Sequence, residues 1–150
     1  MLTDANLTVS GSISGNTVSG QALSGTANST YSVDTGLAVH DVGRGEKLKA
    51  VVDILATPTG TSPTIQVAVV QSASADLSSP NVLGQTAALT VTAGAQIVLD
   101  VPRPDPFSPK RYLGLVYTLG GTSPGFSVFG TFVKDVGDAQ QNYPSGFTVA

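Results

Sequence analysis

The sequence predicts an all-β protein, an antiparallel jelly-roll sandwich of about eight strands with extended N- and C-terminal arms. Short runs rich in β-branched and aromatic residues recur along the chain between turns rich in Gly, Pro and Ser. One run alternates polar and apolar residues with a period of two, as a half-buried strand does. No window shows sustained helical periodicity. Together these patterns favour strands packed in two layers over any helical fold.

The stretch 101–133 organises the rest of the chain. Its first part contains four prolines and is predicted to be a stiff crossover, because proline cannot donate a ladder hydrogen bond. Apolar residues 112–119 and 126–133 then flank a Gly, Ser and Pro cluster at 120–125, which predicts a hairpin. Most of the aromatic residues, which bury large areas, lie in or beside this unit, so we expect it to anchor the core. They are Phe107, Tyr112, Tyr117, Phe126, Phe129 and Phe132.

The first 29 residues differ in composition from the remainder. Ser-Gly recurs four times, with isolated apolar residues between the repeats and Asp4 as the only charge. A flexible tail is one interpretation. The spaced apolar residues favour an arm with short strands that orders against its own domain or a neighbour. We therefore predict an arm over residues 1–29, a jelly-roll domain over 30–134 and a tail over 135–150.

The middle of the chain carries the clearest strand signals. Residues 48–54 place Leu48, Ala50, Val52 and Ile54 on one face of a strand. Further strands are predicted to begin near residues 30 and 65 and to span 82–91 and 96–101. The segment Gly60-Thr61-Ser62-Pro63 echoes Gly121-Thr122-Ser123-Pro124, and we expect similar turn chemistry to close two hairpins.

Composition limits the function classes. A chain of 150 residues with 41% hydrophobic residues can bury one substantial core. Charged residues are only 11%, against roughly 25% in ordinary soluble domains. Between Thr57 and Val98 the only charge is Asp76, which indicates a surface covered by an assembly or rich in neutral polar groups. The net charge of −3 argues against a nucleic-acid partner, and the sequence holds no run long enough for a membrane span.

Residues that could support catalysis or metal binding are few. There is no cysteine, and His40 is the only histidine, so neither a metal site nor a catalytic triad is predicted. Asp34-Thr35-Gly36 matches the triplet of aspartic proteases, but those enzymes pair two carboxylates and no second triplet occurs. We interpret Asp34 as a carboxylate that closes a strand-end turn. Asp135 and Asp138 match no calcium loop.

Two binding functions stay open from the residues alone. A carbohydrate-binding sandwich would need exposed aromatic rings, and Tyr31 and Tyr143 are its candidates. The segment Pro102-Arg103-Pro104-Asp105-Pro106 could be a polyproline ligand. A rigid loop between strands is the preferred interpretation of that segment.

A series of short motifs in this chain resembles one family. They are Asn28-Ser29-Thr30, Val33-Asp34, Asp41-Val42-Gly43-Arg44-Gly45-Glu46 with Leu48, Pro102, and Lys110-Arg111-Tyr112-Leu113-Gly114-Leu115-Val116-Tyr117. Their order resembles that in the small capsid cement, or decoration, proteins of tailed bacteriophages, of the kind known from the Bordetella podophage.

The resemblance implies a jelly roll without catalysis, cofactor or metal. It implies a homo-oligomer, for which a dimer is favoured over a trimer, that is made in the host cytoplasm and binds the outer face of the virion capsid. Its partner would be the phage major capsid protein, whose neighbouring subunits it would clamp. For this role we expect the tail to contribute aromatic anchors, the proline-rich segment to contribute basic residues, and the arm to contribute apolar ones. These candidates are Tyr143 and Phe147; Arg103, Lys110 and Arg111; and Leu7, Val9 and Ile13. For the basic residues, a solvated loop rim is the alternative.

Overall fold

A computed structural model describes residues 7–36, 48–102 and 110–133 of the protein. These residues form eleven strands. In chain order the strands are β1 (Thr8–Ser10), β2 (Ser12–Ser14), β3 (Thr17–Ser19), β4 (Gln21–Leu23), β5 (Ala27–Asn28), β6 (Val33–Asp34), β7 (Lys49–Ile54), β8 (Thr59–Ser72), β9 (Asn81–Gln85), β10 (Gln96–Asp100) and β11 (Tyr112–Val133).

Strand β11 belongs to both layers of the fold. Its first half pairs with β8 on one side and with β5 and β6 on the other, and β9 extends this layer beyond β8. Its second half pairs with β7 on one side and with β1 and β4 on the other, and β10 extends this layer beyond β7. All of these pairings are antiparallel. The result is a large sheet curled almost into a barrel, which confirms the predicted all-β antiparallel sandwich.

The hairpin predicted within residues 112–133 is wrong. The cluster at 120–125 does not reverse the chain, and β11 runs through it as a single strand of 22 residues. The same correction applies to Gly60-Thr61-Ser62-Pro63, which lies inside β8 instead of closing a hairpin. The two similar segments face each other across the β8–β11 ladder, where Thr61 pairs with Thr122 and the register shifts on both sides.

Both layers contribute to one core. Ile65, Val67 and Leu115 come from the first layer, and Val52 and Phe132 come from the second. The expectation that the aromatic residues of β11 anchor the core is confirmed for Tyr117, Phe126 and Phe132, which belong to it and are at most 5% exposed. Phe129 is buried outside this core, and Tyr112 is partly buried against a separate small cluster. Phe107 lies outside the described residues.

The predicted alternation over 48–54 is confirmed, with one difference. Ala50, Val52 and Ile54 point into the core as expected. Val51, on the opposite face, is also buried and packs with Val133. β7 is therefore covered on both faces at this position. This explains why the outward-facing residue is valine, since a side chain that faces solvent would ordinarily be polar.

Of two further predicted strands, one is confirmed and the other is confirmed in part. Strand β10 matches the predicted strand over 96–101, and β9 covers the first part of the predicted strand over 82–91. Beyond β9 the chain makes one further bridge, between Leu89 and Ile65. The domain boundaries placed at residues 29 and 134 stay predictions. No helix among the described residues is long and apolar enough to cross a membrane.

Candidate functional site

The N-terminal segment is joined to β11 at three places. Strand β1 pairs with β11 at Thr131 and Gly130, β4 pairs with Phe126–Val128, and β5 pairs with Val116 and Tyr117. Val9 and Leu23 are buried in the core. The described part of this segment is thus ordered on the sheet of its own domain, which excludes a flexible tail for residues 7–29.

The four Ser-Gly repeats separate the short strands of this segment. Gly11 directly precedes β2 and Gly20 directly follows β3, so both lie at the base of the β2–β3 pair. Gly15 has a φ of +57° at the first of the two turn positions, Gly15-Asn16, as a type II′ hairpin turn requires. Gly25 lies between β4 and β5. The glycines of the repeats therefore lie at the breaks between successive short strands.

The β2–β3 hairpin is the most exposed of these elements. It forms a two-stranded sheet of its own, in which Ile13 is paired directly with Val18. All six residues of the two strands are exposed, and Ile13 and Val18 are each 46% exposed. A lone hairpin is only marginally stable in water. An apolar cross-strand pair of this kind therefore suits contact with another surface.

Glycines hold the base of the hairpin close to the sheet. A Cβ atom on Gly11 would lie 3.1 Å from Cδ2 of Phe129 and 3.3 Å from the Cα of Gly20. A Cβ atom on Gly20 would lie 3.1 Å from Cδ1 of Leu55, which is itself 40% exposed. We use the term hairpin surface for the exposed Ile13–Val18 pair together with Leu55, which lies beside Gly20 at the base of the hairpin.

A second feature joins β6 to the start of β11. Arg111 donates two hydrogen bonds to the carboxylate of Asp34, from Nε to Oδ1 at 2.7 Å and from Nη2 to Oδ2 at 2.6 Å. The Arg111 guanidinium also lies 5.3 Å from the centre of the Tyr112 ring. The backbone N–H of Gly36 donates to Asp34 Oδ1 at 2.9 Å. This last bond confirms that the Asp34 carboxylate closes a turn.

The electrostatics of Asp34 follow from these contacts. The hydrogen bonds from Arg111 and then from the Gly36 N–H lower the pKa of Asp34 to about 2. The carboxylate is therefore ionised at neutral pH and bonded to a cation. A protease aspartate instead shares a proton with a second carboxylate, so this geometry supports the turn interpretation of the Asp34 triplet.

The predicted interface residues differ in how far their side chains are available to a partner. Ile13 lies on the exposed hairpin, and Leu7 and Lys110 are half-buried. Val9 is completely buried and belongs to the core, so its side chain cannot reach a partner. Arg111 is bonded to the chain's own Asp34, and this internal salt bridge occupies the group that we expected to meet acidic residues of a partner. The other three candidates lie outside the described residues; they are Arg103, Tyr143 and Phe147.

Sequence reasoning missed Val18 and Leu55 in the hairpin surface. Val18 could have been found from Gly15-Asn16, because a two-residue turn there places Ile13 opposite Val18. Leu55 had no such signal, because it meets the hairpin only through tertiary packing. Tyr31, a candidate for glycan binding, is 57% exposed. His40, Asp135 and Asp138 lie outside the described residues.

The described residues therefore define an all-β protein whose exposed hairpin offers a surface for contact. Among them, no three His, Asp or Glu side chains group as metal ligands would. The model of the Bbp16 family matches residues 17–130, which is more than half of the chain, and the protein belongs to this family. The family name suggests a Bordetella phage protein. None of the curated proteins matches the chain.

Proposed function

We propose that this protein binds the outer surface of an assembled phage capsid and cements neighbouring major capsid subunits. It acts in the virion as a homo-oligomer made in the host cytoplasm, without catalysis or cofactor. It stabilises the shell against the outward pressure of packaged DNA.

The hairpin surface is the observation that carries this proposal. It presents apolar side chains from a segment that is fixed to the sheet on both sides of the hairpin, through β1 and β4. A rigidly mounted apolar projection suits binding to a preformed surface, because little conformational entropy is lost on contact. Membership in a family named for a phage protein supports a virion as the setting.

The region of β8 and β9 supports a broad contact of low charge. Strand β8, strand β9 and the loop between them carry one charged residue, Asp76. Cementing does not need a single strong site, because a protein that binds only the assembled lattice stabilises it by mass action. An oligomer that touches more than one capsid subunit gains effective affinity from the linked contacts.

The outer edge of β9 supports the homo-oligomer in this proposal. Within the described residues β9 pairs only with β8, and it has no charged residue. Val82 on this strand is 55% exposed. Uncharged edges of this kind tend to pair with another chain unless something covers them.

Sedimentation with capsids tests the proposal. Purified protein is mixed with cement-free expanded capsids of a phage that encodes a Bbp16-family protein, with empty proheads, or with no shell. We expect co-sedimentation with expanded capsids and a higher temperature of capsid disruption. Protein that stays in the supernatant with every capsid form, and leaves the disruption temperature unchanged, would contradict the cement function.

The truncation used in this experiment should spare the strands of the N-terminal segment. Removal of residues 1–29 would delete Val9 and Leu23 from the core and three partners of β11. A variant without residues 12–19 removes only the hairpin.

A glycan array with the wild type and Tyr31→Ala tests carbohydrate binding. Saturable binding that depended on the Tyr31 ring would indicate a carbohydrate-binding function instead.

A further inference from the structure

We infer that the β2–β3 hairpin inserts into a neutral, apolar groove that the assembled capsid presents. This inference rests on the proposed function and names the part of the protein that recognises the shell. It also states the chemistry of the surface that the hairpin meets.

The charge pattern points to a neutral partner surface. Residues 7–33 contain no Asp, Glu, Lys, Arg or His. The hairpin lies in the middle of this stretch, and its side chains other than Ile13 and Val18 are small or neutral polar groups. Such a hairpin has no charge with which to form an ion pair in a groove, and burying a charge without a counter-charge is costly. The complementary surface is therefore apolar with neutral hydrogen-bonding groups.

The geometry of the hairpin suits insertion. Ile13 and Val18 are direct cross-strand partners, so their side chains project from one face of the ribbon. Each is about half exposed, which leaves apolar area for a partner to cover. The opposite face of the ribbon carries Ser12, Ser14, Thr17 and Ser19, which are small, so a second wall of a groove can approach it closely.

Close contacts at the base of the hairpin limit its conformational freedom. Gly11 has a φ of +82°, which glycine adopts without strain, and the space for its side chain is taken by the Ser19 carbonyl oxygen. The Ser127 side chain similarly fills the space beside Gly20. Both ends of the ribbon are therefore packed closely and continue into strands paired with β11, so its binding costs less ordering entropy than that of a loose arm.

Binding through such a surface responds weakly to salt. Exposed ion pairs are screened when ionic strength rises from about 0.05 M to about 0.5 M, whereas apolar contact is not. We expect the apparent affinity for expanded capsids to change by less than about threefold over this range. A large loss of affinity would show that charges outside the hairpin dominate the contact.

Three variants test the hairpin itself by quantitative co-sedimentation. Ile13→Ser and Val18→Ser each replace an apolar side chain that is about half exposed and so available to a partner. Each variant should weaken capsid binding about fivefold. The third variant deletes residues 12–19 and joins Gly11 to Gly20. The two glycines are close neighbours, since a Cβ atom on Gly11 would lie 3.3 Å from the Cα of Gly20, so the sheet should tolerate the closure. This variant should lose capsid binding and keep its thermal unfolding transition.

Val98→Ser is the matched control. Val98 is 39% exposed and undergoes the same valine-to-serine change as Val18. Because it lies on β10 and not in the hairpin surface, its replacement should leave capsid binding unchanged. Equal binding by the wild type and by the hairpin deletion would overturn the inference while leaving the cement function intact. Absence of binding by the wild type would overturn both. Equal losses for Val18→Ser and Val98→Ser would also overturn it, because they would indicate a general effect of polarity.

Discussion

Gly60 and Gly121 face each other as near-equivalent positions on β8 and β11. A Cβ atom on Gly60 would lie 2.6 Å from the carbonyl oxygen of Thr122, and one on Gly121 would lie 2.7 Å from that of Thr61. The φ angles are +100° and +102°. Ser62 and Ser123, each two residues later, also match, with φ of +48° and +50°. The two strands thus carry reciprocal irregularities at the place where β11 passes from one layer to the other.

Alanine at Gly60 or Gly121 should destabilise the fold strongly. The new Cβ would enter a space bounded by backbone atoms, which cannot move aside as a side chain can. The positive φ adds a conformational penalty for any residue other than glycine. We expect a loss of about 2–4 kcal/mol in the free energy of unfolding for either variant, measured by urea denaturation.

Gly94→Ala separates the two causes. Gly94 has a φ of +81° but no atom within 4 Å of a Cβ built on it, so it should lose only about 1 kcal/mol. Equal losses at positions 60, 94 and 121 would show that the dihedral angle alone matters and that close packing of the two strands does not.

The same segments explain why the sequence predicted two hairpins that do not exist. Gly, Ser and Pro in succession normally reverse a chain. Here each segment falls opposite the other, and the paired positions Gly120–Thr64, Thr122–Thr61 and Gly125–Thr59 leave Pro63 and Pro124 out of the ladder. Proline is tolerated in strands at such bulges. The local pattern was enough to predict that the residues around these segments form strands. The pairing of the two segments with each other depends on residues about sixty positions apart, which no local pattern shows.

The site was predictable to a similar extent. Val9 and Ile13 are both isolated apolar residues in a Ser-rich segment, and both were interface candidates. Val9 is buried because β1 pairs with β11, whereas Ile13 is exposed because β2 pairs only with β3. Nothing local in the sequence distinguishes the two. Arg111 likewise gave no sign of its partner, because Asp34 lies 77 residues away along the chain.

Acid should weaken the link between β6 and β11. The pKa of Asp34 is lowered in the folded state, so the stability that this carboxylate contributes is present above its ordinary pKa near 4 and is lost as the pH falls through about 2. We expect the NMR titration of the Asp34 carboxyl carbon to give a midpoint near 2.

Arg111→Gln provides the control for this titration. It removes the charge and the double hydrogen bond but keeps a polar side chain, so the Asp34 midpoint should rise toward its ordinary value. The Gly36 N–H should hold it slightly below that value. An unchanged midpoint in Arg111→Gln would contradict a dominant role for the salt bridge.

Leu77 and Gly114 should be energetically coupled. Leu77 has a φ of +58°, is 1% exposed and covers the outer face of β11, where a Cβ on Gly114 would collide with its methyl groups. We expect Leu77→Ala to cost about 2–4 kcal/mol and Gly114→Ala to cost about 1–3 kcal/mol. In the Leu77→Ala background the Leu77 methyl groups are gone and only the Ser29 hydroxyl oxygen stays close, at 3.1 Å, so Gly114→Ala should cost much less. Strict additivity in urea denaturation would contradict this packing.

Ser10 and Tyr117 form a buried polar contact between β1 and β11. Their hydroxyl oxygens are 2.7 Å apart, and neither residue is accessible to solvent. Tyr117→Phe should cost about 1–2 kcal/mol at neutral pH, because it leaves the Ser10 hydroxyl buried without its partner. Ser10→Ala should cost a similar amount. The double variant should cost less than the sum of the two, with a coupling of about 1 kcal/mol in urea denaturation.

The ionisation of Tyr117 adds a dependence on alkaline pH. Burial raises the pKa of Tyr117 in the folded state, whereas the unfolded chain releases this proton near pH 10. The stability due to the neutral hydroxyl is therefore complete below pH 10 and declines above it, because the unfolded state then binds fewer protons than the folded state. At about pH 11 the wild type should lose about 1–2 kcal/mol that Tyr117→Phe does not lose. An equal loss of stability in both proteins between neutral pH and pH 11 would show that Tyr117 ionises without opening the contact between β1 and β11.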